Sequence, residues 1–290
     1  MPRPMPPRCD AHVHLWDPGA SSYDWLRGAP AALRRAFAPE EVLPELADRG
    51  FRRLVLVQAD DTRADSVHLQ RLAAEIPRLA RGIAQVGVVA WLPLARPADV
   101  AALLGDDAAM RHVVGVRHLT HDDADPFFLR RPDVGESLRL LAGAGLPLDV
   151  PDAFPAQMSY LPQLAEDHPD LQIVLDHLGK PPIGGHDGAW RTWREMLARL
   201  SGRENVVAKA SGLGTSGTGD RAGIVAALEE ARAQFGASRL LYGSDWPIAP
   251  RAGDYASGTD ATLAHLRSWP AAEQHAVLAG TAHRVYRWDS

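Results

Sequence analysis

The stretch CDAHVHLWDP, residues 9–18, places two histidines, His12 and His14, two positions apart at the end of an apolar run. Side chains alternate faces along a β-strand, so Asp10, His12 and His14 are expected to share one face. Imidazoles turned into an apolar interior cost free energy unless each finds a partner. The pair therefore reads as functional, a place that binds a metal, a substrate or further polar partners.

Seven more short apolar runs follow, at 53–58, 86–92, 113–119, 146–150, 172–178, 205–211 and 239–245. Most lead through a polar cluster into a helical pattern, with amphipathic candidates at 39–49, 64–79, 134–144, 190–200 and 223–235. Strand and helix in alternation argue for a parallel sheet covered by helices. Eight such units fit a (β/α)8 TIM barrel better than an open sheet, and no GxGxxG fingerprint follows the first strand. The expected organisation is one barrel domain, residues 9–290, behind a flexible N-terminal arm, residues 1–8.

Composition narrows the function classes. The 290 residues are 46% hydrophobic and 23% charged, enough to bury a large core. There are 31 Lys and Arg against 36 Asp and Glu, a net charge of −5 with no basic block, so nucleic acid is not an expected partner. No apolar run is long enough to suggest a membrane span, and a single cysteine, Cys9, excludes an intrachain disulfide framework. The reading is a cytoplasmic protein with a small-molecule substrate.

In a (β/α)8 barrel, functional groups sit where the strands end. Those ends carry His12 and His14, then Gln58 with Asp60 and Asp61, Trp91, Arg117 with His118, Asp149 with Asp152, His177, Lys209, and Asp245 with Trp246. Gln58, Asp60, Asp61, His118 and Asp152 read equally as turn formers and helix caps. His177 precedes Gly179 and Lys180, so a sharp turn is expected to present it at the barrel mouth. Barrel closure brings the eighth strand beside the first, and Asp245 beside His12 and His14. Lys209 either points inward, toward Asp245 or substrate, or outward to snorkel between helices. The Gly-rich segment 211–220 reads as a mobile loop over the site, since the P-loop Lys is missing.

The motifs DAHVHLWD, GVRH, LDHLGKPP, KASGL and YGSDWP, in this order, resemble the lactonase branch of the amidohydrolase superfamily, which includes L-fuconolactonase, L-rhamnono-lactonase and 2-pyrone-4,6-dicarboxylate lactonase. The resemblance covers essentially the whole chain. It implies a barrel hydrolase that opens cyclic esters, within carbohydrate metabolism. For a lactone carbonyl attacked by water, Asp245 is the expected general base, with His12, His14 and His177 around the carbonyl or its metal. Arg117 suits a carboxylate or hydroxyl cluster, and Lys180 adds charge near the substrate. Trp16, Trp91 and Trp246 are candidate walls for a sugar ring, with Gln58, His118, His121 and Asp122 as further hydrogen-bonding groups. Arg130 and Arg131 lie in a loop of undetermined direction.

Many superfamily members hold divalent metal through a strand-one HxH, histidines on strands five and six, and a strand-eight aspartate. This chain offers His12, His14, His177 and Asp245 as one possible Zn²⁺ shell, but its fifth strand, LDVPD, has no histidine. Similarity to the pyrone-dicarboxylate enzyme implies that the same residues can work without metal. The reading favours catalysis that does not require metal, at a site able to bind Zn²⁺. The alternatives are a metal-dependent carboxy-lyase, a decarboxylase of the same superfamily, and a 2-pyrone-4,6-dicarboxylate-type lactonase, which calls for several arginines at the mouth.

Overall fold

The computed structural model describes residues 6–288 apart from Arg81 and Asp122. Eight parallel strands run in sequence order through one sheet: β1 (Arg8–Val13), β2 (Phe51–Val57), β3 (Gln85–Ala90), β4 (Val113–Arg117), β5 (Leu148–Val150), β6 (Ile173–Leu175), β7 (Val206–Ala210) and β8 (Leu240–Tyr242). A bridge between Val13 and Trp246 joins the first strand to the end of the last. Across that seam the Asp245 N–H donates to the His12 carbonyl at 2.8 Å and the His14 N–H to the Trp246 carbonyl at 2.7 Å. The expected barrel is the observed one. Most of the expected N-terminal arm lies outside the described residues, and its last residue, Arg8, already pairs with Phe51 in β1.

Alternation along the strands sorts the core into two layers. Val55, Val57, Val89, Val174, Val207 and Leu241 form an inner cluster with Cys9 and Ala11. Their strand neighbours, among them Leu54, Leu56, Val88, Leu175, Ala208 and Tyr242, pack outward in the larger cluster that includes the helices. Those helices are α1 (Pro39–Asp48), α2 (Arg63–Leu79), α3 (Pro97–Leu104), α4 (Pro132–Ala144), α5 (Leu161–Asp167), α6 (Asp187–Ser201), α7 (Arg221–Phe235) and α8 (Tyr255–Leu266), followed by the short α9 (Ala271–His275) and α10 (Thr281–Val285). Ala282, Val285 and Tyr286 close the inner cluster. Helix starts follow their caps: Thr62 accepts the Asp65 N–H for α2, and Asp220 accepts that of Gly223 for α7.

One expectation fails inside β1. Asp10 pairs with Leu54 and Val13 with Leu56, so two residues of β1, Ala11 and His12, stand opposite the single Val55. This bulge resets the alternation. Ala11 and His12 both turn inward, and Asp10 points outward toward α8. There it accepts hydrogen bonds from the Tyr255 hydroxyl at 2.9 Å and the Ser244 N–H at 2.8 Å. Asp10 therefore does not share a face with the two histidines.

Candidate active site

His12 and His14 reach the C-terminal mouth of the barrel from the bulged end of β1. Asp245 follows β8 in the left-handed region, at φ 63°. His177 arrives by a different device. Val174 faces inward, so simple alternation sends Asp176 inward and His177 outward. Instead His177, Leu178, Gly179 and Lys180 all take positive φ, 55°, 53°, 74° and 62°. This turn brings both Asp176 and His177 to the site, and each non-glycine residue held in it costs on the order of 1–2 kcal/mol.

Three imidazoles converge on one carboxylate oxygen. Asp245 Oδ1 lies 3.6 Å from His12 Nε2, 3.4 Å from His14 Nε2 and 3.7 Å from His177 Nε2. His12 and His14 are 3.1 Å apart, Nε2 to Nε2. Each ring is oriented from behind. His14 Nδ1 donates to the Val57 carbonyl at 2.8 Å, and His177 Nδ1 is hydrogen-bonded to Ser211 Oγ at 2.8 Å. Burial, reinforced by the positive charge of Lys209 at His12 and of Lys180 at His177, holds both imidazoles well below the usual histidine range. They are neutral at pH 7.

Beneath this cluster lies a buried ion network that the sequence reading did not assemble. Lys209 points inward and is completely buried, but its partners are not Asp245. Its Nζ is 2.5 Å from Asp149, 2.9 Å from Asp176 and 3.1 Å from His12 Nδ1. Arg117 Nε approaches the other oxygen of Asp176 at 3.1 Å, an ion pair off the ideal hydrogen-bond direction. Tyr286 donates to Asp149 at 3.1 Å. Burial opposes ionisation of Asp176, but the Lys209 ammonium and the Arg117 guanidinium outweigh it and hold the group well below the usual carboxylate range. Burial dominates at Asp149, pushing it up to about 6. Despite its own burial, the Lys209 ammonium is held above the ordinary lysine value by the two carboxylates.

A cavity of about 310 Å³ opens above Asp245. Its walls include Arg117, His121, Asp152, Lys180, Trp16 and Trp25. Trp16 and Trp25 meet edge to face, centroids 5.1 Å apart, and each indole N–H is tied to a backbone carbonyl. Trp25 was not singled out in the sequence; its part came from a loop that shows no strand-end signal.

Gln58, His118, Trp91 and Trp246 are not among the lining residues. Val57 and Arg117 face inward, so their successors, Gln58 and His118, face away. Gln58 bonds the Arg117 carbonyl and Asp61, while His118 pairs with Asp123 and stacks on Phe128. Trp91 is held by Ser66 through its backbone, and Trp246 packs on Phe37 with its indole N–H on the Gly253 carbonyl. Asp60 ties down the Ser21–Tyr23 turn. Arg130 lies over Phe127 and Tyr160, and Arg131 pairs with Asp133 at the surface. Asp122 falls outside the described residues. Segment 211–220 is tied to the loop after β6, through the Thr218 N–H on the Ile183 carbonyl and Lys180 on Thr215 Oγ1.

Two overlapping triads of buried donors, His12–His14–Asp245 and His12–Asp176–His177, lie close enough together to hold a divalent metal. Zn²⁺ bonds of about 2.0–2.2 Å in tetrahedral geometry put adjacent ligand atoms roughly 3.3–3.6 Å apart. The His12–His14 separation and the three distances to Asp245 Oδ1, from 3.1 to 3.7 Å, bracket that value. The fixed rear nitrogens of His14 and His177 are what a metal-binding imidazole requires. Where a strand-five histidine would stand, Asp149 is taken by Lys209.

The sequence profile described as Amidohydrolase matches residues 9–288, and the chain belongs to that family. An L-fucono-1,5-lactonase of Burkholderia ambifaria is 32% identical over 86% of this chain and 83% of its own length. An L-fucono-1,5-lactonase of Burkholderia multivorans is 30% identical over 96% and 95%. Among solved structures, an amidohydrolase from Burkholderia multivorans with bound Zn superposes with a TM-score of 0.83 at 29% identity, covering 97% of this chain and 99% of that one.

Proposed function

We propose that the protein is a hydrolase that opens the cyclic ester of a sugar lactone, with Asp245 activating the attacking water. The observation that carries this is the convergence of three imidazole Nε2 atoms on Asp245 Oδ1, with His14, His177 and Asp245 lining a small cavity. The similarity to two L-fucono-1,5-lactonases supports the substrate class. A cavity of about 310 Å³ is at the small end for a ligand site and suits one ring.

The ring's CH face packs on Trp16 and Trp25, and its hydroxyls meet Arg117, Lys180, His121 and Asp152 on the remaining walls. Water between Asp245 and the carbonyl loses its proton to the carboxylate as it attacks. The developing oxyanion is met by His177 and by Lys180. Asp245 then returns the proton to the ring oxygen as the C–O bond breaks, leaving an open-chain hydroxy acid. His12, His14, His177 and Asp245 are the residues that would hold a divalent ion, which when bound supplies a Lewis acid for the carbonyl.

A carboxy-lyase could use a similar donor set, but the lactonase relatives favour ester hydrolysis. Incubating the protein with sugar 1,5-lactones, 2-pyrone-4,6-dicarboxylate and hydroxylated aromatic acids separates the alternatives. Proton release from sugar lactones without CO₂ is expected; CO₂ from an aromatic acid with no lactone opening would refute the proposal.

A further inference from the structure

The Lys209 ammonium donates to Asp149 Oδ2 and is hydrogen-bonded to His12 Nδ1, while Asp176 Oδ1, 2.9 Å away, is an ion-pair contact off the hydrogen-bond direction. With two carboxylates within 2.9 Å it is a cation and can only donate. His12 Nδ1 must then be bare, and the imidazole proton sits on Nε2. A second constraint comes from the other end of the HxH pair. The Val57 carbonyl can only accept, so His14 Nδ1 carries a proton, and in the neutral ring Nε2 is then bare. The two Nε2 atoms, 3.1 Å apart, form a hydrogen bond only if one is protonated and the other is not. The two independent assignments supply that combination.

We infer that Lys209 is a positioning residue that fixes His12 as its Nε2–H tautomer, closing the metal-free HxH pair into a hydrogen-bonded chain from Lys209 through His12 and His14 to Val57. A cation then binds both histidines only after the His12 proton moves to Nδ1, facing Lys209. Asp176 Oδ1, 3.4 Å from that nitrogen, is the acceptor available to the alternative tautomer. Lys209 thus tunes how readily the pair ligates metal. The inference rests on the site reading above only for where the ion binds. Its readouts do not involve turnover, so its failure is distinct from failure of the lactonase proposal.

Two-bond ¹H–¹⁵N correlation spectra of chelator-treated, ¹⁵N-histidine-labelled protein test it directly, with His12 assigned by its loss in His12→Gln. His12 as Nε2–H and His14 as Nδ1–H are expected; His12 as Nδ1–H would overturn the inference. A charge-balanced pair of changes, Lys209→Met with Asp149→Asn, leaves Asp176 with Arg117. Relative to Asp149→Asn alone, it is expected to switch His12 to Nδ1–H and to bind Zn²⁺ at least tenfold more tightly in competition with a chromophoric chelator. Equal Zn²⁺ affinity in the two variants, or an unswitched His12, would also overturn it. If the double variant does not fold, the wild-type spectrum decides alone.

Discussion

Gly212 lies so close to Asp245 that a Cβ at this position would meet Asp245 Oδ2 at 2.6 Å, and it would meet His177 Nδ1 at the same distance. Its φ of 59° adds a second demand for glycine. Gly212→Ala is expected to push both side chains out of register. We expect kcat/KM to fall at least 100-fold while far-UV circular dichroism stays unchanged. An alanine variant of near wild-type activity would show that the Asp245 and His177 positions are not critical.

Trp25 contributes area to the wall, and its indole N–H donates to the Ala59 carbonyl. Trp25→Ala should raise KM for a sugar lactone about tenfold with kcat within a few-fold of wild type, as expected for loss of uniform binding. A fall in kcat with KM unchanged would contradict a wall role.

Lys209 neutralises two carboxylates in a site closed to solvent. Removing one partner of a buried ion pair typically costs about 3–5 kcal/mol because the remaining charge is stranded. Lys209→Met alone should lose that much in denaturant unfolding, and Asp149→Asn added to it should recover a substantial part. Equal instability of the single and double variants would argue against this pairing.

The pH dependence of stability tests Asp10. Burial, partly offset by the Ser244 and Tyr255 hydrogen bonds, pushes its carboxyl from the ordinary 3.8 up to about 6. A raised carboxyl holds its proton more tightly in the folded chain, so stability is lost as pH rises from about 4 through 6. Asn at this position does not titrate. The stability difference between Asp10→Asn and wild type should therefore move in favour of the variant by roughly 2 kcal/mol from pH 4 to pH 7. A difference that stays flat over this range would mean that Asp10 ionises at no cost.

The barrel was legible because eight apolar runs alternate with helical patterns, and Asp245 could be placed beside His12 by closure alone. What resisted reading is local backbone geometry. The β1 bulge turns Asp10 outward, and nothing in DAHVH announces an extra residue. The left-handed turn at His177 defeats the alternation that would have sent this side chain away. That same alternation, counted from Val174, does point Asp176 inward, so the ion partner of Lys209 was within reach of the sequence. Gln58 and His118 show the converse, since polar residues at strand ends with outward parity bond to the loops rather than the cavity.

The most direct test compares proton release from L-fucono-1,5-lactone by the wild-type protein and by Asp245→Asn. Rapid opening by the wild type is expected, with a loss of about 10²–10⁴ in kcat in the variant, the usual contribution of a general base, and binding of the lactone retained. Opening at an undiminished rate by Asp245→Asn would contradict the assignment of the base. No opening of any sugar lactone by the wild type would contradict the function itself.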